Sequence, residues 1–330
     1  MNQKTDSHAL SAPPLNGFKN GFAPDGGADG NGTTYNGTIH NGVLHDGADL
    51  SRNGYGPHGD VKVVILCGGQ GTRLREETEY RPKPLVEVGG RPVLWHIMKQ
   101  YAHYGFLDFV LCLGYRGQMI KEYFLNYEAM NNDFMICLGE KHRIAYQGAH
   151  DEQDYRVLLA DTGQDTMTGG RVKRVERHLD GDTFMVTYGD GLSDVNIADL
   201  LAFHRAHGKL ATVTTTRPNS RFGVLEVDGD GRVIDFAEKP QLDGWASMGF
   251  MVLERRALDY LSTDAECILE REPMERLAAE NQLMAYRHEG FFFAMDTYRE
   301  YLYLNELWNS GQAPWAKPAN VPQLAVGVSR

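Results

Sequence analysis

The segment Leu66-Cys67-Gly68-Gly69-Gln70-Gly71-Thr72-Arg73-Leu74, followed by Arg81-Pro82-Lys83-Pro84-Leu85, holds the residue types needed to grip a polyphosphate. An apolar run, Val61 to Leu66, ends in three glycines that let backbone N–H groups approach a ligand closely. Arg73 offers a planar fork for two phosphate oxygens, and Lys83, held between two prolines, a point charge. A P-loop is excluded, because no Gly-Lys-Ser or Gly-Lys-Thr occurs anywhere in the chain. A dinucleotide fingerprint, and with it a nicotinamide oxidoreductase, is weakened by Leu74, which stands where a small residue would let helix and strand close up. A glycine turn without a ligand leaves the two framing cations unexplained.

Two aspartates occupy a second kind of position. Asp190 lies between glycines just after the apolar run Phe184–Tyr188, and Asp296 follows Phe291–Ala294 in the same manner. Each suits a carboxylate projecting from a strand end toward a metal. The plainer reading is a turn or helix-cap aspartate, strongest for Asp296, which precedes a helical run. No local Ser/His/Asp device is found.

The motifs occur in a recognisable order: G-G-x-G-T-R-L, then Lys83-Pro84, Gly114-Tyr115-Arg116-Gly117, Asp161-Thr162-Gly163, Met167-Thr168-Gly169-Gly170-Arg171, Tyr188-Gly189-Asp190-Gly191, Arg221-Phe222-Gly223, Glu238-Lys239-Pro240 and Met295-Asp296-Thr297. In this the chain, from about Val61 to Trp315, resembles the sugar nucleotidyltransferases and, within them, the glucose-1-phosphate cytidylyltransferases. The resemblance implies transfer of a cytidylyl group from CTP to a sugar 1-phosphate, α-D-glucose 1-phosphate first, giving a CDP-sugar for a deoxysugar pathway and pyrophosphate. Another hexose 1-phosphate or pyrimidine triphosphate, or a catalytically silent nucleotide sensor, are its alternatives. The reaction is an in-line displacement by an anion that needs no covalent intermediate, so the protein must position two repelling anions and neutralise charge. By resemblance Arg73 and Lys83 are catalytic, stabilising the triphosphate and the departing pyrophosphate. Gly68, Gly69, Gly71, Thr72, Thr168 and Arg171 surround the nucleotide. Glu238, Lys239, Ser247 and Gly249 take the sugar phosphate, and Asp190 and Asp296 hold Mg²⁺. The resemblance also implies a homo-oligomer. One departure bears on the sugar: Ala246-Ser247-Met248-Gly249-Phe250 stands where the family shows Asn-Gly-Gly-Phe, which predicts a lost hydroxyl contact and a pocket narrowed by Met248.

The elements that must position these residues alternate. Strands are predicted at Val61–Cys67, Phe109–Leu113, Phe184–Tyr188 and 211–216, with helices at 93–104, 119–128 and 194–207, the last capped by Asp194 or Asn196. That pattern gives an α/β fold, a Rossmann-like, mostly parallel sheet of the nucleotidyltransferase type whose ligands lie beyond the strands' carboxyl ends. After Arg221 come shorter strands, 224–227, 233–236, 248–253 and 291–294, expected as a smaller antiparallel sugar-binding part, and a closing helix at 297–308. The expected division is therefore a nucleotidyltransferase domain over 60–316, split into nucleotide-binding (60–220) and sugar-binding (221–316) parts, with a C-terminal tail at 317–330. Residues 1–59, with Asn-Gly recurring and no glutamate, read as a disordered leader, since no alternating apolar runs flank those turns.

Composition sets the outer limits. The chain has 330 residues, 42% hydrophobic, enough for a core that needs neither disulfide nor metal. Its four cysteines form no C-x-x-C pair, and no run approaches a membrane span or an apolar signal, which predicts a cytoplasmic enzyme. A net charge of −11 argues against a nucleic-acid polymer as partner, so the proposed polyanionic substrates require a local positive patch formed by Arg73, Lys83, Arg171, Lys239 and magnesium.

Overall fold

A computed structural model describes residues 60–316, apart from 72–73, 140–143, 149, 221 and 242 and the side chains of 75 and 76, together with the backbone of 39–40 and 43–44. Thr72, Arg73, the tail and the remainder of the leader lie outside the described residues. Within the leader, Ile39–His40 and Val43–Leu44 pair antiparallel across Asn41-Gly42.

Residues 60–316 are built on a seven-stranded sheet. We number its strands β1 (Lys62–Cys67), β2 (Asp108–Leu113), β3 (Arg156–Asp161), β4 (Thr183–Tyr188), β5 (Ala211–Thr216), β6 (Ala246–Glu254) and β7 (Leu283–Arg287); their spatial order is β7-β5-β6-β4-β1-β2-β3. Every neighbouring pair is parallel except those of β6, which runs antiparallel to both β4 and β5. The mostly parallel sheet is as expected. The placing of β6 is not: its residues join the centre of this sheet, so the stretches on either side of residue 220 share one sheet. The short antiparallel elements lie elsewhere, in the hairpins Val224–Val227/Val233–Ala237 and Asp133–Ile136/Ile144–Gln147 and in the strip formed by Gly191–Ser193 and Phe292–Ala294.

The central strands read as continuous apolar runs because both faces are covered. Alternation sends Val63, Ile65, Phe109, Leu111, Phe250 and Val252 into one core cluster, whose members include Leu94, Ile97 and Tyr101 of helix Val93–His103 and Leu304 of helix Tyr298–Asn309. Val64, Leu66, Val110, Val186 and Met251 point the other way, into a cluster with Val172 and Leu277. Caps follow the sequence: Asn196 accepts the Asp199 N–H at the start of Ile197–His207, and Thr297 with Glu300 forms a full capping box on Tyr298–Asn309. Among the described residues no helix is long and apolar enough to cross a membrane.

Candidate active site

β1 and β4 are parallel neighbours, with Leu66 opposite Tyr188, so the turns that follow them leave from the same end of the sheet. Gly189 donates its N–H to the Leu66 carbonyl at 3.0 Å, stitching the two turns together. A Cβ on Gly189 would lie 2.9 Å from Pro84 and 3.1 Å from that carbonyl, so only glycine lets Asp190 follow so closely on the sheet. Asp296 arrives from 106 positions further along the chain by a different route. The Gly191–Ser193/Phe292–Ala294 strip pairs Gly191 with Ala294, and Met295 donates its N–H to the Asp190 carbonyl at 3.0 Å. Thr297, not Asp296, is the cap of the following helix, which removes the capping reading of Asp296.

Lys83 closes the cluster. It sits in the 3₁₀ turn Lys83–Leu85, and its Nζ donates to Asp190 Oδ2 at 2.6 Å and to Asp296 Oδ1 at 2.7 Å. Burial alone would lower this ammonium, but the Asp190 and Asp296 carboxylates outweigh it and hold its pKa above the ordinary lysine value. Around the cluster lies a cavity of about 550 Å³ lined by Gly68, Gly69, Gly71, Lys83, Thr168, Arg171, Tyr188, Asp190 and Asp296, among others. The described glycines of the turn, both carboxylates and Lys83 therefore meet as the sequence predicts. Gly71 adopts φ +62°, and Thr78 anchors the turn by donating to the Gly71 and Leu74 carbonyls. Leu74 itself is wholly buried in the core.

Arg171 reaches the cavity wall but spends its donors on the protein. Its Nη1 donates to the Leu113 carbonyl (2.9 Å), Thr162 Oγ1 (2.8 Å) and the Gly163 carbonyl (2.7 Å), and its Nη2 to the carbonyls of Gly68 (3.2 Å) and Gln164 (3.0 Å). The guanidinium thereby ties the ends of β1, β2 and β3 together. A Cβ on Gly68 or Gly114 would fall 2.2 or 2.4 Å from it, which explains both glycines. The Thr168-Gly169-Gly170 stretch has a packing role too: Cβ atoms there would meet Cys267 Sγ at 2.7 Å and the Asp264 carbonyl at 2.5 Å, and the Thr168 hydroxyl donates to Glu270 and accepts from the Leu269 N–H.

The expected sugar residues are less gathered. Glu238 and Lys239 are exposed, pair with one another at 3.0 Å at the end of their hairpin, and are not among the residues lining the cavity. Ser247 is exposed, its Oγ accepting the Gly249 N–H. Gly249, at φ +79°, backs directly onto Tyr188, whose ring a Cβ would meet at 2.2 Å. Met248 is buried in the core cluster that holds Phe250 and Val252, so its side chain does not narrow the cavity as expected: alternation along β6 turns it to the face opposite the one that carries Leu66 and Tyr188. The sequence reading missed Thr78, Thr162 and Tyr188. The Asp161-Thr162-Gly163 motif was the available signal for the second.

The nucleotidyl transferase family profile matches residues 62–298. A glucose-1-phosphate cytidylyltransferase of Salmonella typhi is 46% identical over 257 residues, which cover 77% of this chain and 98% of that protein. A probable glucose-1-phosphate cytidylyltransferase of Bacillus subtilis is 43% identical, covering 77% and 99%. Two solved structures share the fold at low identity: a putative glucose-1-phosphate thymidylyltransferase from Bacillus anthracis (TM-score 0.54, 19% identity, covering 80% of this chain and 98% of that one) and a UDP-glucose pyrophosphorylase complexed with UDP-glucose (0.55, 14%, 76% and 99%). The family match over residues 62–298 and sequence identity along nearly the whole length of these relatives lead to one conclusion: the chain belongs to the nucleotidyl transferase family and, within it, to the glucose-1-phosphate cytidylyltransferases.

Proposed function

We propose that the protein joins CTP to α-D-glucose 1-phosphate, releasing pyrophosphate and CDP-glucose. The observation that carries this reading is the convergence of Lys83, Asp190 and Asp296 at the mouth of the glycine turn, in a chain 46% identical to a cytidylyltransferase. Two mutually repelling anions must be brought together there, and the N–H groups of the turn with the Lys83 ammonium supply the donors that hold them.

The family generally uses a divalent metal. Among the described residues no group of three or more His, Cys, Asp or Glu converges. The donor set the chain does offer, two carboxylates already bridging one cation, fits Mg²⁺, a hard ion that takes one or two carboxylates and leaves its other positions to phosphate oxygens and water. Asp190 and Asp296 would hold it, and bound there it would neutralise charge shared between the two substrates. Arg73 would grip the triphosphate, and Glu238, Lys239, Ser247 and Gly249 would take the sugar phosphate. We assign Thr168 and Arg171 a place at the nucleotide chiefly through the loop they hold.

We also read the protein as a cytoplasmic homo-oligomer. Its described cysteines are all free thiols, which suits a reducing compartment, and the Asp133–Ile136/Ile144–Gln147 hairpin carries an exposed apolar face for a second copy to cover. Pyrophosphate release across a grid of nucleoside triphosphates and sugar 1-phosphates, with and without Mg²⁺, tests the function. The expected maximum is CTP with glucose 1-phosphate and metal, and equal rates with UTP, or none without a different sugar, would overturn the substrate assignment.

A further inference from the structure

The Lys83 ammonium stands between one oxygen of Asp190 and one of Asp296, at 2.6 and 2.7 Å. That is the position from which any cation bridging the pair must act. A magnesium ion needs its carboxylate oxygens at about 2.0–2.1 Å, so an ion bound to those same oxygens would lie within contact distance of Nζ, where a double and a single positive charge repel strongly. One of the two must leave. The lysine's backbone is fixed, with Leu85 N–H on the Pro82 carbonyl and Val86 N–H on the Lys83 carbonyl, while the rotatable bonds of its four-carbon stem let the charge be re-aimed toward the cavity that Lys83 lines. The stem lies beside the glycine turn, 3.4 Å from where a Cβ on Gly71 would be, so an ammonium released from the carboxylates faces the place where a polyphosphate would lie.

We propose that Lys83 is the resident counter-ion of the Asp190–Asp296 pair and that a divalent cation exchanges with it, turning the ammonium toward the triphosphate. The inference rests on the assignment of the metal to these two aspartates. Its charge logic is simple. Two carboxylates and one ammonium leave the cluster with one net negative charge, which repels a polyanion. Exchange for a divalent ion brings the pair to neutrality and sets one positive charge loose, so the metal's arrival changes the site from repelling to attracting. Lys83 also keeps two adjacent carboxylates from repelling each other when no other cation is present.

Two measurements on the full chain test this, neither of them turnover. Reductive methylation of lysines, followed residue by residue by mass spectrometry, reports whether the Lys83 amine is held. Lys62, bound to Asp180 and the His178 carbonyl, serves as the internal reference. Addition of Mg²⁺ or Mn²⁺ should raise the Lys83 rate severalfold with Lys62 unchanged, at a midpoint matching Mn²⁺ binding followed by the loss of free-ion electron paramagnetic resonance signal. In Lys83→Met, Mn²⁺ alone should bind more tightly, by about tenfold, the factor that ~1.4 kcal/mol of competition represents. Binding seen only in Lys83→Met, and not in the wild type, would show that Lys83 blocks the ion instead of exchanging with it, and would overturn the proposal. If Mn²⁺ binds, is lost in Asp190→Asn, and yet leaves Lys83 labelling unchanged or slower, exchange is wrong while the metal assignment stands. Mn²⁺ affinity indifferent to Asp190→Asn, or no binding in either protein, would sink the metal assignment and the exchange with it. The wild-type labelling needs no variant to fold.

Discussion

Asp190 and Asp296 illustrate what a residue's neighbours in sequence do and do not say. Both were legible as strand-end carboxylates, but their convergence with Lys83 depends on a three-residue strip pairing segments about 100 positions apart, which no local pattern encodes. Asp190→Asn and Asp296→Asn should each keep the fold and lower metal-dependent turnover by roughly 100-fold or more, since an amide preserves shape but not the charge that would hold the ion. Steady-state kinetics with circular dichroism as the folding control checks this, and near-normal turnover in Asp296→Asn would refute its role. Arg171 shows the opposite case. Its motif was visible and its place at the cavity correct, whereas its bonds to four backbone carbonyls were not foreseeable, because they depend on β1, β2 and β3 ending together. Arg171→Met should therefore cost stability, about 3–5 kcal/mol, by stranding buried acceptors. Urea denaturation measures it, and a loss confined to the Michaelis constant for CTP with normal stability would show a ligand contact instead.

At the scale of elements, hydrophobic runs and caps located the strands and helices of the central sheet to within a few residues, because buried parallel strands leave no polar alternation to misread. What escaped was β3, β7, the helices Thr168–Arg174 and Glu272–Ala279, and the membership of β6, since an apolar run does not say which neighbours it will take. The joint between helix Val93–His103 and the C-terminal turn Pro314–Ala316 was equally hidden. There the buried His96 donates from Nε2 to the Val88 carbonyl at 2.8 Å and accepts at Nδ1 from the Trp315 indole at 3.3 Å, an arrangement only the neutral ring can make. Burial, partly opposed by the Val88 bond, lowers its pKa to about 4. The unfolded chain then takes up the proton first, near pH 6.5, so the contribution is complete above that value and is lost as pH falls toward 4. Stability should drop by ~2 kcal/mol between pH 7.5 and 5 on this account alone. Denaturation at the two pH values should show that slope in the wild type and a shallower one in His96→Gln.

On the scale of the whole molecule, every strand of the central sheet and every residue lining the cavity falls at Lys62 or later. Deleting residues 1–58 should therefore leave turnover and melting temperature nearly unchanged, and a collapse of either would reveal a structural part for the leader. The apolar hairpin makes a second molecular prediction. Phe134 and Ile136 sit opposite Tyr146 and Ile144 on one face, all four are exposed, and a two-stranded ribbon with such a face is marginal alone. Phe134→Lys with Ile136→Lys should lower the oligomer mass in sedimentation without unfolding the subunit; an unchanged mass would place the contact elsewhere.

The strand order carries one more consequence, for how the chain acquires its shape in time. β1, the first strand of the central sheet to be made, waits for β2, then for β4 some 120 residues later, and β4 waits in turn for β6, which ends at Glu254. The middle of the sheet therefore cannot close on a ribosome until more than three quarters of the protein has been synthesised. Contacts of such long sequence separation make folding slow and leave apolar strand edges open meanwhile, so this protein should be among those whose yield depends on growth temperature and chaperone supply more than on its final stability.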